Sequence, residues 1–191
     1  MSAAFENDII KCLEVLKKGG TILYPTDTVW GIGCDAKNAE AVKKIYATKQ
    51  RDDRKTMIIL AGDERDILQH VAAPDLALFD FLHEQTRPTT IIFDGAIGLP
   101  DNLIADDGSI AIRIVRDEFC RHLIKRFRKP IVSTSANISG DQTPKSFSQI
   151  SSHIKQSVDY TVQWRQHDET LAQPSQIIRW KKDGSYEVIR K

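Results

Sequence analysis

Ile9, Leu13 and Leu16 recur at spacings of four and three, which places them on one face of a helix that Asn7 would cap and Gly19-Gly20 would end. The β-branched and apolar run Thr21 to Tyr24 follows at once and reads as a strand, closed by Pro25 and the polar turn Thr26-Asp27-Thr28. After a cap at Asn38, the residues Val42, Ile45 and Tyr46 return to helical spacing, so a second helix runs to about Lys49. Short apolar runs at Met57 to Leu60, Thr90 to Phe93, Ile110 to Val115, Ile131 to Ser133, Tyr160 to Val162, Gln176 to Trp180 and Glu187 to Ile189 predict strands. Helical stretches fall between some of them, at about Glu64 to His70, Asp75 to Glu84 and Asp117 to Phe127. A doubly wound sheet would alternate throughout, whereas here the late strands follow one another with little helix between. The expected class is therefore α/β (α+β), one domain over 1–191, with helices packed on a twisted mixed β-sheet.

Composition narrows the possibilities without naming a function. A chain of 191 residues that is 41% hydrophobic can bury roughly 70% of its unfolded surface and needs no disulfide or metal staple. Its 27 Lys+Arg against 26 Asp+Glu exclude a strongly basic coat, which leaves nucleic acid as a partner only for a local basic groove. Cys12, Cys34 and Cys120 are odd in number and form no CxxC pair, so neither a disulfide framework nor a zinc knuckle is expected, and a reducing cytoplasm is. No apolar run approaches the ~20 residues a membrane span needs, and no membrane association is expected.

Four segments carry groups that could do chemistry. Tyr24 to Gly31 ends a strand in a hydroxyl-rich turn where Thr26 and Thr28 could orient a polar substrate, or simply hold the chain. Lys49-Gln50-Arg51, with Lys55 beyond, gathers cations at a helix end; they suit a polyphosphate, though such residues also complement a helix dipole. Ser133-Thr134-Ser135-Ala136-Asn137-Ile138-Ser139-Gly140 follows a strand and could cradle a nucleotide or cap a helix; it is not a Walker loop, and no GxGxxG occurs. Ser109 and Arg113 lie four apart on one face of a strand, where a buried Arg needs a carboxylate from substrate or from protein. The five histidines have no metal-ligand spacing, and no metal-binding residues are expected.

In order and spacing, these pieces resemble the YrdC-like threonylcarbamoyl-AMP synthase family over nearly the whole chain. The longest block runs TILYPTDTVWGIGCDAKNAEAVKKIYATKQRDDRKTMIIL from Thr21, with its PTDT turn, aromatic-Gly pair and Lys-x-Arg signature. IVSTSANISG carries the family's Ser-x-Asn signature as Ser135 and Asn137, and IAIRI around Arg113, PSQII around Ser175 and Arg190 follow in the expected order. Three departures stand out: Trp30-Gly31-Ile32 for Tyr-Gly-Leu, Thr86-Arg87-Pro88-Thr89-Thr90 for Pro-Gly-Pro-x-Thr, and Leu60 where many members place a His that reaches the threonine pocket.

The resemblance implies a YrdC-like sheet around a concave cavity. It also implies a synthase of the short form, which joins L-threonine, bicarbonate and ATP into threonylcarbamoyl-AMP and pyrophosphate for tRNA modification by separate transfer proteins. Lys49 and Arg51 would be catalytic; with Lys55, Ser109, Ser135, Asn137, Thr143 and Arg190 they would bind ATP, accompanied by Mg²⁺. Thr28, Arg113, Ser133 and Ser175 would bind threonine, with Arg113 on its carboxylate. The rival readings are a module for double-stranded RNA or tRNA, a carbamoyl-transfer domain of the hydrogenase-maturation type, and an inactive paralogue.

Overall fold

The computed structural model describes residues 4–52, 57–181 and 183–191. Helix α1 (Glu6–Lys17) buries Ile9, Cys12 and Leu16, but Asn7 lies inside it and Phe5 occupies the cap position with no side-chain cap bond. The Phe5 ring packs edge-on against Phe119 at 5.6 Å and Trp164 at 5.7 Å, so apolar contact fixes the helix start where an amide cap was expected. Helix α2 (Ala39–Lys49) does use its predicted cap: Asn38 Oδ1 accepts the Glu40 and Ala41 N–H groups at 3.1 Å. It ends at Gln50, where φ of +48° turns the chain back, and Arg51 N–H donates to Tyr46 O at 3.0 Å.

Among the described residues, nine strands form one sheet. They are β1 (Ile22–Tyr24), β2 (Gly31–Gly33), β3 (Ile58–Ala61), β4 (Thr89–Phe93), β5 (Ile110–Ile114), β6 (Ile131–Ser135), β7 (Tyr160–Thr161), β8 (Gln176–Trp180) and β9 (Tyr186–Arg190). Their order is β7-β1-β2-β6-β3-β5-β4-β8-β9, with β1/β7, β3/β5 and β4/β8 parallel and the rest antiparallel, which is the mixed sheet the sequence predicts. The remaining helices are α3 (Glu64–Leu68), α4 (Ala77–Glu84), α5 (Glu118–Phe127) and α6 (Ser152–Gln156). Helix α5 turns Phe119, Leu123, Ile124 and Phe127 into the core that Ile59, Ile112 and Val132 share.

Strand β2 is absent from the sequence reading because two of its three residues are glycines, which carry no strand signal. Packing requires them. A Cβ at Gly33 would lie 2.5 Å from Val132 O and 2.7 Å from Tyr24 Cε1, and the Tyr24 hydroxyl reaches over the strand to donate to Val132 O at 3.2 Å. Gly33→Ala is therefore expected to destabilise the fold by about 1–3 kcal/mol, the usual range for overpacking. An unchanged urea midpoint would show that the Tyr24 ring has room to move.

Register decides what faces what. Ile58 pairs with both Ala111 and Ser133, Leu60 with Arg113, and Gly31 with Ser135. Because side chains alternate across a sheet, Gly31, Ile58, Arg113, Ser133 and Ser135 project from a single face.

Candidate active site

On that face lies a cavity of about 270 Å³. Its floor is Arg113, which is 4% exposed. Arg113 Nη1 donates to Thr28 Oγ1 at 2.9 Å, and Nη2 lies 3.2 Å from Asp27 Oδ1. Nε is buried without a partner, and Asp27 Oδ1 makes no aligned hydrogen bond in spite of the ion pair. Since Thr28 Oγ1 accepts from Arg113, its own proton goes to Thr26 Oγ1, 2.9 Å away, which in turn donates to Val29 O at 2.9 Å. Thr26 Oγ1 also accepts the Thr28 N–H at 2.9 Å. The PTDT turn is thus wired to the guanidinium of β5 by a directional chain of bonds.

Asp27, which the sequence presents only as the middle of the polar turn and gives no role of its own, is part of the site. Its Oδ2 accepts the Arg116 N–H at 3.2 Å while Oδ1 faces Arg113, so it joins the turn to both ends of the segment leaving β5. Nothing in the spacing ties position 27 to positions 113 and 116; the signal exists only once β5 and the turn are side by side.

The opposite wall comes from β8, β9 and the chain before β8. Ser175 Oγ lies 2.8 Å from Thr90 Oγ1, the threonine retained in the departed turn motif. Arg190 Nε and Nη2 donate to Ser175 O at 3.1 and 2.8 Å. Burial, and then the like charge of Arg113, hold the Arg190 guanidinium below the usual arginine value. Ser133, Ser135, Thr143 and Arg51 complete the lining, together with Trp30, whose ring lies 4.7 Å from that of Phe147. A Cβ at Gly31 would sit 3.0 Å from Ser133 Oγ, so glycine there keeps the hydroxyl open to the cavity. Burial lowers the pKa of Arg51 as well.

Eight of the twelve residues singled out from sequence therefore share this cavity: Thr28, Arg51, Arg113, Ser133, Ser135, Thr143, Ser175 and Arg190. Three others do not line it. Lys49 is 1% exposed, and its ammonium donates to the carbonyls of Ser135 and Asn137, the latter at 2.6 Å. Desolvation first, and Arg51 second, lower its pKa to about 8. Ser109 is buried beside Asp107 and Arg179, its N–H donating to Asp107 Oδ1 at 3.0 Å and its Oγ accepting from Arg179 Nη2 at 3.4 Å. Asn137 spends its amide on Ile138 O at 2.8 Å and Asp141 O at 3.0 Å, leaving Oδ1 buried and unpaired. Lys55 lies outside the described residues. Leu60 is fully buried beside Arg113 in the sheet.

Among the described residues the lining contains three guanidinium groups and a set of hydroxyls but no carboxylate, a composition that selects anions. Among the described residues no group of three His, Cys, Asp or Glu is placed to hold a metal, and no helix is long and apolar enough to cross a membrane.

Comparison with known proteins bears on the same region. A family model, Sua5_yciO_yrdC, described as "Telomere recombination", matches residues 14–191. A relative from Pseudoalteromonas translucida (strain TAC 125), named "Threonylcarbamoyl-AMP synthase", is 32% identical over 178 residues, or 90% of this chain and 92% of its own. E. coli YciO superposes with a TM-score of 0.82 at 23% identity, covering 97% of this chain and 89% of that one. P. abyssi Sua5, solved in complex with L-threonine, gives a TM-score of 0.81 at 20% identity over 95% of this chain, which spans 53% of the Sua5 chain.

Proposed function

The chain belongs to the Sua5/YciO/YrdC family, and from that premise we propose that it is an L-threonylcarbamoyladenylate synthase, a nucleotidyltransferase whose product serves tRNA modification in the cytoplasm. The observation that carries the reading is the convergence of Arg113, Arg51 and Arg190 on one hydroxyl-lined cavity.

The α-carboxylate of L-threonine lies against Arg113, whose buried Nε lacks a partner and gains one on binding. Thr28 Oγ1 accepts from Arg113 and donates to Thr26, so its remaining lone pair is free to take an N–H of the substrate amine. Condensation of that amine with bicarbonate gives an N-carboxylate and water. A carboxylate oxygen then attacks the α-phosphorus of ATP, the bond to the bridging oxygen of the β-phosphate breaks, and pyrophosphate leaves with the electron pair. Such a step asks the protein for alignment and charge neutralisation more than for a nucleophile, and the lining offers guanidinium groups and hydroxyls for it. Among the described residues the lining offers no carboxylate, so those residues do not fit a resident metal site. Mg²⁺ enters as the MgATP substrate, held by phosphate oxygens and water. A Sua5 of this fold in complex with L-threonine supports the amino-acid assignment.

The deciding assay is pyrophosphate release from MgATP by the purified chain. Release is expected only when both L-threonine and bicarbonate are present; folded protein that releases none under any condition would overturn the proposal. Arg51→Ala should cut turnover by about 100-fold or more, in line with the loss of one donor to a developing oxyanion. L-Threonine binding, followed by calorimetry, should stay within about twofold. Parallel loss of both would move Arg51 from the phosphate end to the amino-acid end of the cavity.

A further inference from the structure

The two larger cavities of the molecule lie elsewhere, and they form one groove. One, of about 710 Å³, runs along α5 to Pro130; the other, of about 550 Å³, continues past α3 to Pro88; Gly62, Asp63, Arg116 and Arg121 line both. Together their walls carry seven Lys or Arg against four Asp or Glu, a surplus of three on a chain whose total is +1. Positive charge is thus concentrated here, and the rest of the chain is slightly acidic.

The cations of the groove divide into two sorts. Some already have work within the fold: Lys129 Nζ lies 2.6 Å from Asp35 Oδ2, and Arg116 Nη2 donates to Gln85 O at 2.6 Å. Arg121, Lys125 and Arg128 are exposed and, among the described residues, take part in no ion pair. They stand four and three residues apart, hence on one stripe of α5 and its C-cap, about 10 Å from end to end at 1.5 Å per residue.

The groove differs from a surface made for a phosphate backbone. Asp63, Asp66 and Glu118 alternate with the cations and would repel a continuous polyanion, and no Phe, Tyr or Trp is offered for base stacking. Between the charges, the partly exposed Ile114 gives the wall apolar ground, with the buried Leu82 and Ile124 behind it. Discrete carboxylates interrupted by aliphatic side chains fit this pattern; a uniform strand of phosphates does not.

We propose that the α3–α5 groove is a docking surface for an acidic amphipathic helix of a partner protein, with carboxylates at i, i+4 and i+7 meeting Arg121, Lys125 and Arg128. The surface is independent of the substrate reading, because none of these three residues lines the catalytic cavity. It begins close to that cavity all the same: Arg116, in both halves of the groove, donates its N–H to Asp27, the carboxylate paired with Arg113.

The test uses the full chain and a fluorescein-labelled synthetic helix with Glu at those three spacings and Leu between them, followed by anisotropy at low salt, beside a 20-mer of uridylate. The peptide is expected to bind saturably. The triple charge reversal R121E/K125E/R128E should weaken it at least 10-fold, whereas K17E/K37E/K43E, with the same net charge change outside the groove, should weaken it less than threefold. Circular dichroism and pyrophosphate release should be unchanged in both variants. No saturable peptide binding, equal weakening by the two triples, or uridylate binding that the first triple alone abolishes would overturn the proposal, the last result assigning the groove to nucleic acid.

Discussion

Arg113→Lys is expected to raise the KM for L-threonine by about 10- to 100-fold, the range spanned when one or two hydrogen bonds to a charged group, each ~1.5–3 kcal/mol, are weakened. An ammonium is a point donor and cannot reproduce the fork that now holds Thr28 Oγ1 at 2.9 Å with one edge and Asp27 with the other. Arg113→Ala should be worse for a second reason. It leaves Asp27, whose side chain is only 12% exposed, without its cation, and breaking a buried pair from one side costs about 3–5 kcal/mol of stability. The double variant Arg113→Ala/Asp27→Ala separates the two effects. Stability should return toward the parent value while threonine-dependent pyrophosphate release stays lost. If the double variant regained turnover, Arg113 would be a structural partner of Asp27 and the carboxylate of the substrate would have to be held elsewhere.

How far this site is legible in the sequence follows from which contacts are local. Asn38 caps α2 through bonds to residues two and three positions on, and a pattern of that range is written in the sequence itself. Strands β3 to β6 are legible for the same reason, since each is a run of β-branched and apolar residues. The start of α1 is not, because Phe5 is held by Phe119 and Trp164, more than a hundred residues away. Strand β2 is hidden likewise: its glycines answer to the Tyr24 ring and to Val132 on a neighbouring strand. The α3–α5 groove escapes any linear reading, as Arg65, Arg87 and Arg121 reach it from three separate segments.

The resemblance names residues without saying where their side chains point. Lys49 is the clearest instance: it sits in the Lys-x-Arg signature beside Arg51, yet Arg51 lines the cavity and Lys49 does not. The helical turn that ends α2 sends the Lys49 side chain beneath the segment following β6. Its ammonium donates to the carbonyls of Ser135, the last residue of β6, which also accepts the Asn137 N–H at 2.9 Å, and of Asn137. A backbone bond from Ser139 N to Lys49 O at 2.8 Å fastens the same loop from the other side.

The stability of the protein should therefore carry a pH signature of Lys49. Its folded pKa is about 8 against an ordinary 10.5, so between those values the unfolded chain holds a proton that the folded chain has given up. Unfolding then takes up a proton, and stability rises with pH. The contribution is complete above pH 10.5 and lost as pH falls through 8. At 1.36 kcal/mol per pKa unit, the difference in unfolding free energy between the parent chain and Lys49→Met should grow by about 3 kcal/mol across the window, read from urea melts at half-unit steps. A flat difference would mean that the ammonium is better solvated than its burial implies. Repeating the melts with saturating MgATP extends the test to function. If Lys49 remains a clamp on the two carbonyls, the window persists; if the ammonium swings out to the phosphates, their charge lifts its pKa and the window closes. The bonds from Lys49 to the carbonyls of Ser135 and Asn137 favour the clamp, with loss of activity in Lys49→Met arising through displacement of Ser135 and the loop that follows it.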